Sequence, residues 1–273
     1  GATLVHIGRP RAPLKFYDLV ITTPQYRLPK SQNVLKLSGP IASRPKEQSE
    51  KDLDSWSEVL SPLKRPRIAV LIGGNAPPIE VTRTSVCDLA IKCNELAKTL
   101  TGSLLITSGP RTPSWALDLF MTKVTVPHFR RGWDETGQNP YAAFLALADA
   151  FIVTNDSISM AQDAVSTQKP LFLYNFPKQD SWLKLAQKVL DPLTNENNRW
   201  LSPAIDRLVE TGLVVLPRFP EDYHTGLIRN DRAALLGTST TLEQSPLRTD
   251  ETEKVVQAVH ALFRQRGAEQ PQL

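Results

Sequence analysis

Cysteine is scarce in this chain, with only Cys87 and Cys93 among 273 residues. Both fall on one expected helix, separated by about 9 Å of axial rise, and are badly placed to bridge each other. Two thiols without a disulfide framework point to a reducing compartment, so the expected location is cytoplasmic. No window approaches the ~18 apolar residues of a membrane span. The opening GATLVHIGRPR lacks a basic segment followed by an apolar core and does not read as a signal peptide. A spanning segment is therefore not expected, whereas peripheral membrane association stays open. The four histidines, His6, His128, His224 and His260, do not join the cysteines at zinc-ligand spacing, and no metal is expected. A G-x-S-x-G elbow is missing, which speaks against a hydrolase of that type. So are the phosphate-loop and dinucleotide patterns: Gly73-Gly74-Asn75-Ala76-Pro77-Pro78 does not fit G-x-G-x-x-G, and the two prolines would spoil the helix start that must follow. A hydride-transferring epimerase and an ATPase are thereby disfavoured. The formal charge of +4 is modest, and the basic residues form no dense block interleaved with aromatics. Nucleic acid is not an expected partner.

What is present is an ordinary globular composition, 41% hydrophobic and 22% charged. The chain opens directly in an apolar strand, Leu4–Ile7, which reads as a chain that has lost its first part. Further strands are expected at Asp18–Thr22 and Val34–Leu37. Arg44–Leu63, rich in Lys, Glu, Ser and Pro, reads as a linker holding a short helix at Leu53–Leu60. From Pro66 onward a regular alternation sets in. Strands are expected at Ile68–Ile72, Leu104–Thr107, Val124–Pro127, Ala150–Val153 and Leu171–Tyr174. Helices are expected at Val86–Leu100, Ser114–Met121, Tyr141–Leu147 and Ser159–Ser166. Fully apolar strands alternating with helices imply a parallel sheet covered on both faces. A final helix, Asp250–Arg266, would be capped by Thr249 or Asp250, carry Glu253 at capping-box spacing, and stop at Gly267.

In parallel α/β sheets, ligands bind beyond the carboxyl ends of the strands. There the sequence places Gly73, Gly74 and Asn75, then Ser108, Arg111 and Thr112, then Asn139 and Tyr141, and finally Asn155–Met160. Glycines allow close approach of a ligand to backbone, and Arg111 supplies a forked cation. The helix start with Ser157, Ser159 and Met160 supplies free N–H groups at the positive end of a helix dipole. Asp163, further along that helix, is placed to accept hydrogen bonds from a ribose. The expected site thus has a diphosphate on Gly73, Gly74, Asn75, Ser108, Arg111, Thr112, Ser157, Ser159 and Met160, with Asp163, Asn139 and Tyr141 at the ribose and base. Asp134-Glu135 beside Trp133 reads as a solvated loop. His260 reads as structural, whereas His6, on the first strand, is a candidate for catalysis.

The segments IAVLIGG (Ile68–Gly74), GSLLITS…RTP (Gly102–Pro113), GQNPYAAFLALADAFIVTNDSISM (Gly137–Met160) and KPLFLY (Lys169–Tyr174) resemble the Elm-type mitochondrial-fission family. The block Gly8–Pro29 followed by NVL resembles the middle of the same family. That family has bacterial members often labelled nucleoside-diphosphate-sugar epimerases, and it is similar to GT-B glycosyltransferases. The resemblance implies an α/β, GT-B-like chain of two Rossmann-like parallel-sheet domains, the first incomplete. It assigns residues 1–62 to a remnant of the first domain plus linker, 63–245 to the nucleotide-sugar-binding domain, and 246–273 to a helix packing back toward the first. It also implies a nucleotide-diphosphate sugar as substrate or ligand, no separate cofactor, and an unknown acceptor or protein partner. Here Asp163 stands where the family usually has Glu, and Gly109-Pro110 interrupts its Ser-Arg-Arg-Thr-Pro pattern, leaving Arg111 as the single arginine. The alternative the resemblance carries is a non-catalytic adaptor that recruits a protein partner.

Overall fold

Parallel strands with apolar side chains on both faces must be covered twice, and two sheets meet that requirement from different parts of the chain. The computed structural model describes residues 2–41, 50–194, 202–238 and 251–268. The chain divides into two compact units, one of Gly1–Ile41, Ser181–Tyr223 and Arg248–Leu273, the other of Ala42–Asp180 and His224–Leu247.

The first unit is built on a three-stranded parallel sheet, β1 (Val5–Ile7), β2 (Leu19–Thr22) and β3 (Val34–Lys36), in the order β1-β2-β3. Alternation along β2 sends Leu19 and Ile21 to one face and Val20 to the other. The first face is covered by Val255, Ala258, Val259 and Leu262 of the last helix. The second is covered by Val209, Leu216 and Phe219, which pack with Leu14, Val20 and Leu28. This explains why Ser181–Tyr223 groups with the amino-terminal strands, whereas the sequence assigns it to the second domain. That region contains α6 (Trp182–Thr194), α7 (Ser202–Glu210) and the start of α8 (Pro220–Arg229), helices for which the sequence reading names no element.

A buried cation fixes the turn after β2. Arg27 adopts a left-handed conformation, φ 47°. Its guanidinium donates to Asp222 at 2.5 and 2.7 Å, to Asp191 at 2.8 Å and to Thr194 at 2.9 Å. It also lies 3.6 Å over the Phe219 ring. The two carboxylates outweigh the cost of burying the cation and raise its proton affinity. Arg27→Ala is expected to cost about 2 kcal/mol in urea unfolding, less than a fully buried pair because Asp191 is half exposed.

The second unit holds six parallel strands: β4 (Arg67–Ile72), β5 (Ser103–Ser108), β6 (His128–Arg131), β7 (Ala150–Thr154), β8 (Leu171–Tyr174) and β9 (Ala234–Leu235). Their spatial order is β6-β5-β4-β7-β8-β9, with every neighbouring pair parallel. Counted within the unit this is 3-2-1-4-5-6, the Rossmann order. The central strands β4, β5 and β7 are buried along their whole length. The helix α2 (Arg83–Thr99) buries Val86, Leu89, Ala90, Cys93, Leu96 and Ala97. It starts three residues before the expected Val86 because Thr82 and Ser85 form a reciprocal cap, with the Ser85 N–H donating to Thr82 Oγ1 at 3.2 Å. α3 (Ser114–Met121), α4 (Tyr141–Leu147) and α5 (Ile158–Ser166) follow close to their expected places.

Some expectations shift. The third strand lies at His128–Arg131, not Val124–Pro127, because Asn94 pins the earlier segment as a turn: its side chain donates to the Lys123 carbonyl at 2.7 Å and accepts the Thr125 N–H at 2.9 Å. Helix α1 (Glu50–Leu60) is longer than expected and belongs to the second unit, burying Trp56 and Leu60 and setting Trp56 edge-on to Phe129 of β6. The last helix, α9 (Glu251–Ala268), runs through Gly267 rather than stopping there, and the expected caps Thr249 and Asp250 lie outside the described residues. Among the described residues no helix is long and apolar enough to cross a membrane.

Candidate functional site

The turns that leave β4, β5 and β7 meet at the carboxyl edge of the second sheet, and a carboxylate sits where they join. Asp156 follows β7, its side chain fully buried. One oxygen accepts the Gly74 N–H at 2.7 Å and faces an Arg111 guanidinium nitrogen at 3.5 Å; the other accepts the Thr154 hydroxyl at 2.6 Å. Thr154 Oγ1 in turn accepts the Gly73 N–H at 2.8 Å. Burial pushes the Asp156 carboxyl above the usual carboxylate range, and these donors oppose the shift. The backbone approaches are as close as glycine allows. A Cβ on Gly73 would sit 2.1 Å from the Asp156 carboxylate, and one on Gly74 would sit 1.9 Å from the Arg111 carbonyl oxygen.

This arrangement corrects one expectation. The N–H groups of Gly73 and Gly74 already have internal acceptors, so the glycine pair admits protein groups and does not present donors to a phosphate. Asn75 and Thr112 are likewise tied to the framework. Asn75 accepts the Val81 N–H at 2.8 Å, and Thr112 Oγ1 lies 2.7 Å from the Gly73 carbonyl while accepting the Gly109 N–H at 2.9 Å. Ser108 accepts the Trp133 N–H at 3.0 Å, which anchors the loop after β6. In that loop Glu135 pairs with Arg130.

Two of the expected groups stay open. The Arg111 side chain is 51% exposed beyond its contact with Asp156. Ser157 caps α5, its hydroxyl receiving the Met160 N–H at 3.4 Å and lying 3.4 Å from the exposed Ser159 hydroxyl. The N–H groups of Ile158 and Ser159, the first of the helix, have no intrahelical acceptor. Asp163 accepts the Tyr141 hydroxyl at 2.8 Å, and Asn139 accepts the Tyr141 N–H at 2.9 Å, fixing the start of α4. Burial raises both groups of the Asp163–Tyr141 pair above their ordinary values. Asp163 thus carries a phenol on one oxygen, and a ribose would have to use the other or replace it. His6 lies on β1 of the first unit, its ring 5.2 Å from that of Tyr17 and its Nε2 buried without a hydrogen-bond partner. Among the described residues no group of His, Cys, Asp and Glu is arranged to hold a metal ion.

Asp156 falls within the Asn155–Met160 stretch that the sequence places at this edge, but sequence reasoning gave it no role of its own; its full burial comes from three loops meeting over it.

Two parallel-sheet units in one chain, the second in Rossmann order with its open groups at the carboxyl edge, define an α/β protein with Rossmann-like sheets. Residues 1–197 match the family described as mitochondrial fission ELM1, and the chain belongs to that family. It is similar to mitochondrial fission protein ELM1 of Arabidopsis thaliana, 27% identical over 202 residues, which covers 62% of this chain and 45% of that protein. The chain thus spans under half the length of that relative. Solved structures similar to it include a glycosyltransferase from Rickettsia africae, with 11% identity over 82% of this chain and 67% of that one and a TM-score of 0.36. Another is WaaG, a glycosyltransferase of lipopolysaccharide biosynthesis, with 12% identity over 77% and 58% and a TM-score of 0.32. Likeness so slight transfers no residue and no ligand.

Proposed function

We propose that the second unit binds a nucleotide diphosphate, carried by a nucleotide sugar, at the carboxyl edge of its sheet. The observation that carries this reading is the pairing of the exposed Arg111 guanidinium, held by buried Asp156, with the open first turn of α5. A cation and helix-end N–H groups together favour a diphosphate, and during transfer they would stabilise the charge on the leaving diphosphate. Asp163, half-buried beside Tyr141, is the group we assign to the ribose. Calorimetric titration of UDP, GDP and ADP tests this. We expect binding at or below millimolar ligand, weakened about tenfold or more in Arg111→Gln by loss of a charge-assisted hydrogen bond. No detectable heat at millimolar ligand would overturn the reading.

A second reading is favoured by the same carboxylate. Asp156 places a negative charge under the phosphate seat and occupies the Gly74 donor, a poor arrangement for a diphosphate. A chain that keeps the fold without turnover, and acts as an adaptor for a protein partner, would accept that cost. This is in keeping with the fission role in the name of the plant relative. Absence of nucleotide binding, with cellular function preserved in Arg111→Gln and Asp163→Asn, would favour it.

A further inference from the structure

The first unit carries a second concentration of positive charge at the carboxyl edge of its own sheet, the edge at which parallel sheets receive ligands. Gly8, with φ 107°, ends β1 and leads into Arg9-Pro10-Arg11. After β2, a short helical turn at Pro24–Tyr26 presents the Tyr26 ring. The Arg9 guanidinium lies 6.0 Å from the centre of that ring and the Arg218 guanidinium 5.8 Å from it. Arg9 is fastened by donation to the Leu216 carbonyl, while Arg11 and Arg218 are exposed. Among the described residues none of these arginines forms an ion pair with a carboxylate. Burial, together with the like charges of Arg11 and Arg218, lowers the proton affinity of Arg9 despite the opposing influence of Tyr26. Arg27, close by in sequence, has its charge spent on Asp191 and Asp222, so the contrast lies within one turn.

Next to Arg9 lies a small cavity of about 10 Å³, room for a single water, lined by Tyr26, Leu28, Val209, Val214 and Leu216. Gly212, at φ 72°, lets the far wall approach the chain, since a Cβ there would meet the Pro13 nitrogen at 2.9 Å. Val215 on that wall stays exposed. Cations gathered on one aromatic ring, without carboxylate partners among the described residues, match a phosphate group. Guanidinium forks suit phosphate oxygens bidentately, and an aromatic face holds the forks in place.

We propose that Arg9 and Arg218, gathered on Tyr26, form a phosphate-binding site in the first unit together with the neighbouring exposed Arg11. The site is separate from the nucleotide site proposed at Arg111 and stands without it. A soluble ester and a lipid headgroup offer the same phosphate, and the recognition chemistry is the same for both.

The test uses the whole chain and the double substitution Arg11→Gln/Arg218→Gln, whose exposed side chains leave the packing of the unit intact, as circular dichroism and the unfolding midpoint would verify. Inorganic phosphate is titrated by calorimetry at low salt. Arg11→Gln/Arg218→Gln is expected to weaken phosphate binding about tenfold or more, whereas Arg111→Gln leaves that component in place. Vesicles of phosphatidylcholine alone, or mixed with phosphatidic acid, are then sedimented with the protein. Cosedimentation that requires phosphatidic acid and is lost in the double variant assigns a lipid source; phosphate binding without cosedimentation assigns a soluble one. Phosphate affinity unchanged by the double substitution, or no binding of either probe, overturns the site.

Discussion

Gly74→Ala is expected to destabilise the protein by about 4 kcal/mol, near the top of what single substitutions cost. A Cβ at this position meets the Arg111 carbonyl oxygen at 1.9 Å and the carbonyl carbon at 2.0 Å. Both are backbone atoms and cannot rotate away. The Asn75 N–H also donates to that carbonyl, so displacing the loop after β5 breaks the bond between the β4 and β5 turns. Gly226, inside α8, provides the internal comparison: nothing lies within 4 Å of a Cβ there. Gly226→Ala should be neutral or stabilising by up to about 1 kcal/mol, because alanine is the better helix former. Urea unfolding of both variants measures the contrast. Equal midpoints would mean that the turns after β4 and β5 are not in the close contact described here.

Asp156→Ala ranks next, at about 3 kcal/mol, because it leaves the buried Gly74 N–H and Thr154 hydroxyl unpaired and frees Arg111. Asp156→Asn keeps one acceptor and should cost about 1–2 kcal/mol. The pH dependence separates the charge from the shape. Burial holds the folded-state carboxyl of Asp156 above its unfolded value, so near that value the folded protein binds a proton the unfolded chain has released. Stability contributed by this group is therefore present below the unfolded pKa, about 3.9, and lost as pH rises through the raised folded one. Neither variant has this loss, so the deficit of each relative to the parent should be largest in acid and narrow as pH increases. Asp163, also raised by burial, adds a loss of the same sign in parent and variants alike and cancels in the comparison. A deficit that widens with pH would mean that the ionised carboxylate is favoured by its surroundings and that Arg111 dominates over burial.

The sequence made the second sheet readable because its strands are short, fully apolar and separated by helices of clear period. Leu89, Cys93 and Leu96 mark the buried face of α2 without any structure. The first unit was harder to read, since its sheet is covered by helices from residues 202–210 and 251–268, and no local pattern links these to Leu19 or Val20. At the site, the helix start at Ser157 was legible from strand, polar break and periodicity. The pairing of Tyr141 with Asp163 was not, because each residue alone reads as a candidate ligand contact. Asp156 escaped for the same reason. A carboxylate in a polar break is ordinarily solvated, and only the meeting of three loops turns it into a buried acceptor. The displacement of β6 to His128–Arg131 shows the reverse case, in which an apolar Val-Thr-Val stretch loses its strand to the side chain of Asn94.

The cover of the first sheet also sets a schedule for synthesis. Leu19 and Ile21 leave the ribosome well before the Val255, Val259 and Leu262 side chains that close over them, which lie more than two hundred residues downstream. At bacterial or eukaryotic elongation rates that interval lasts roughly ten seconds or more. These strands thus wait long for their cover, and meanwhile their apolar face is available to chaperones and to neighbouring nascent chains.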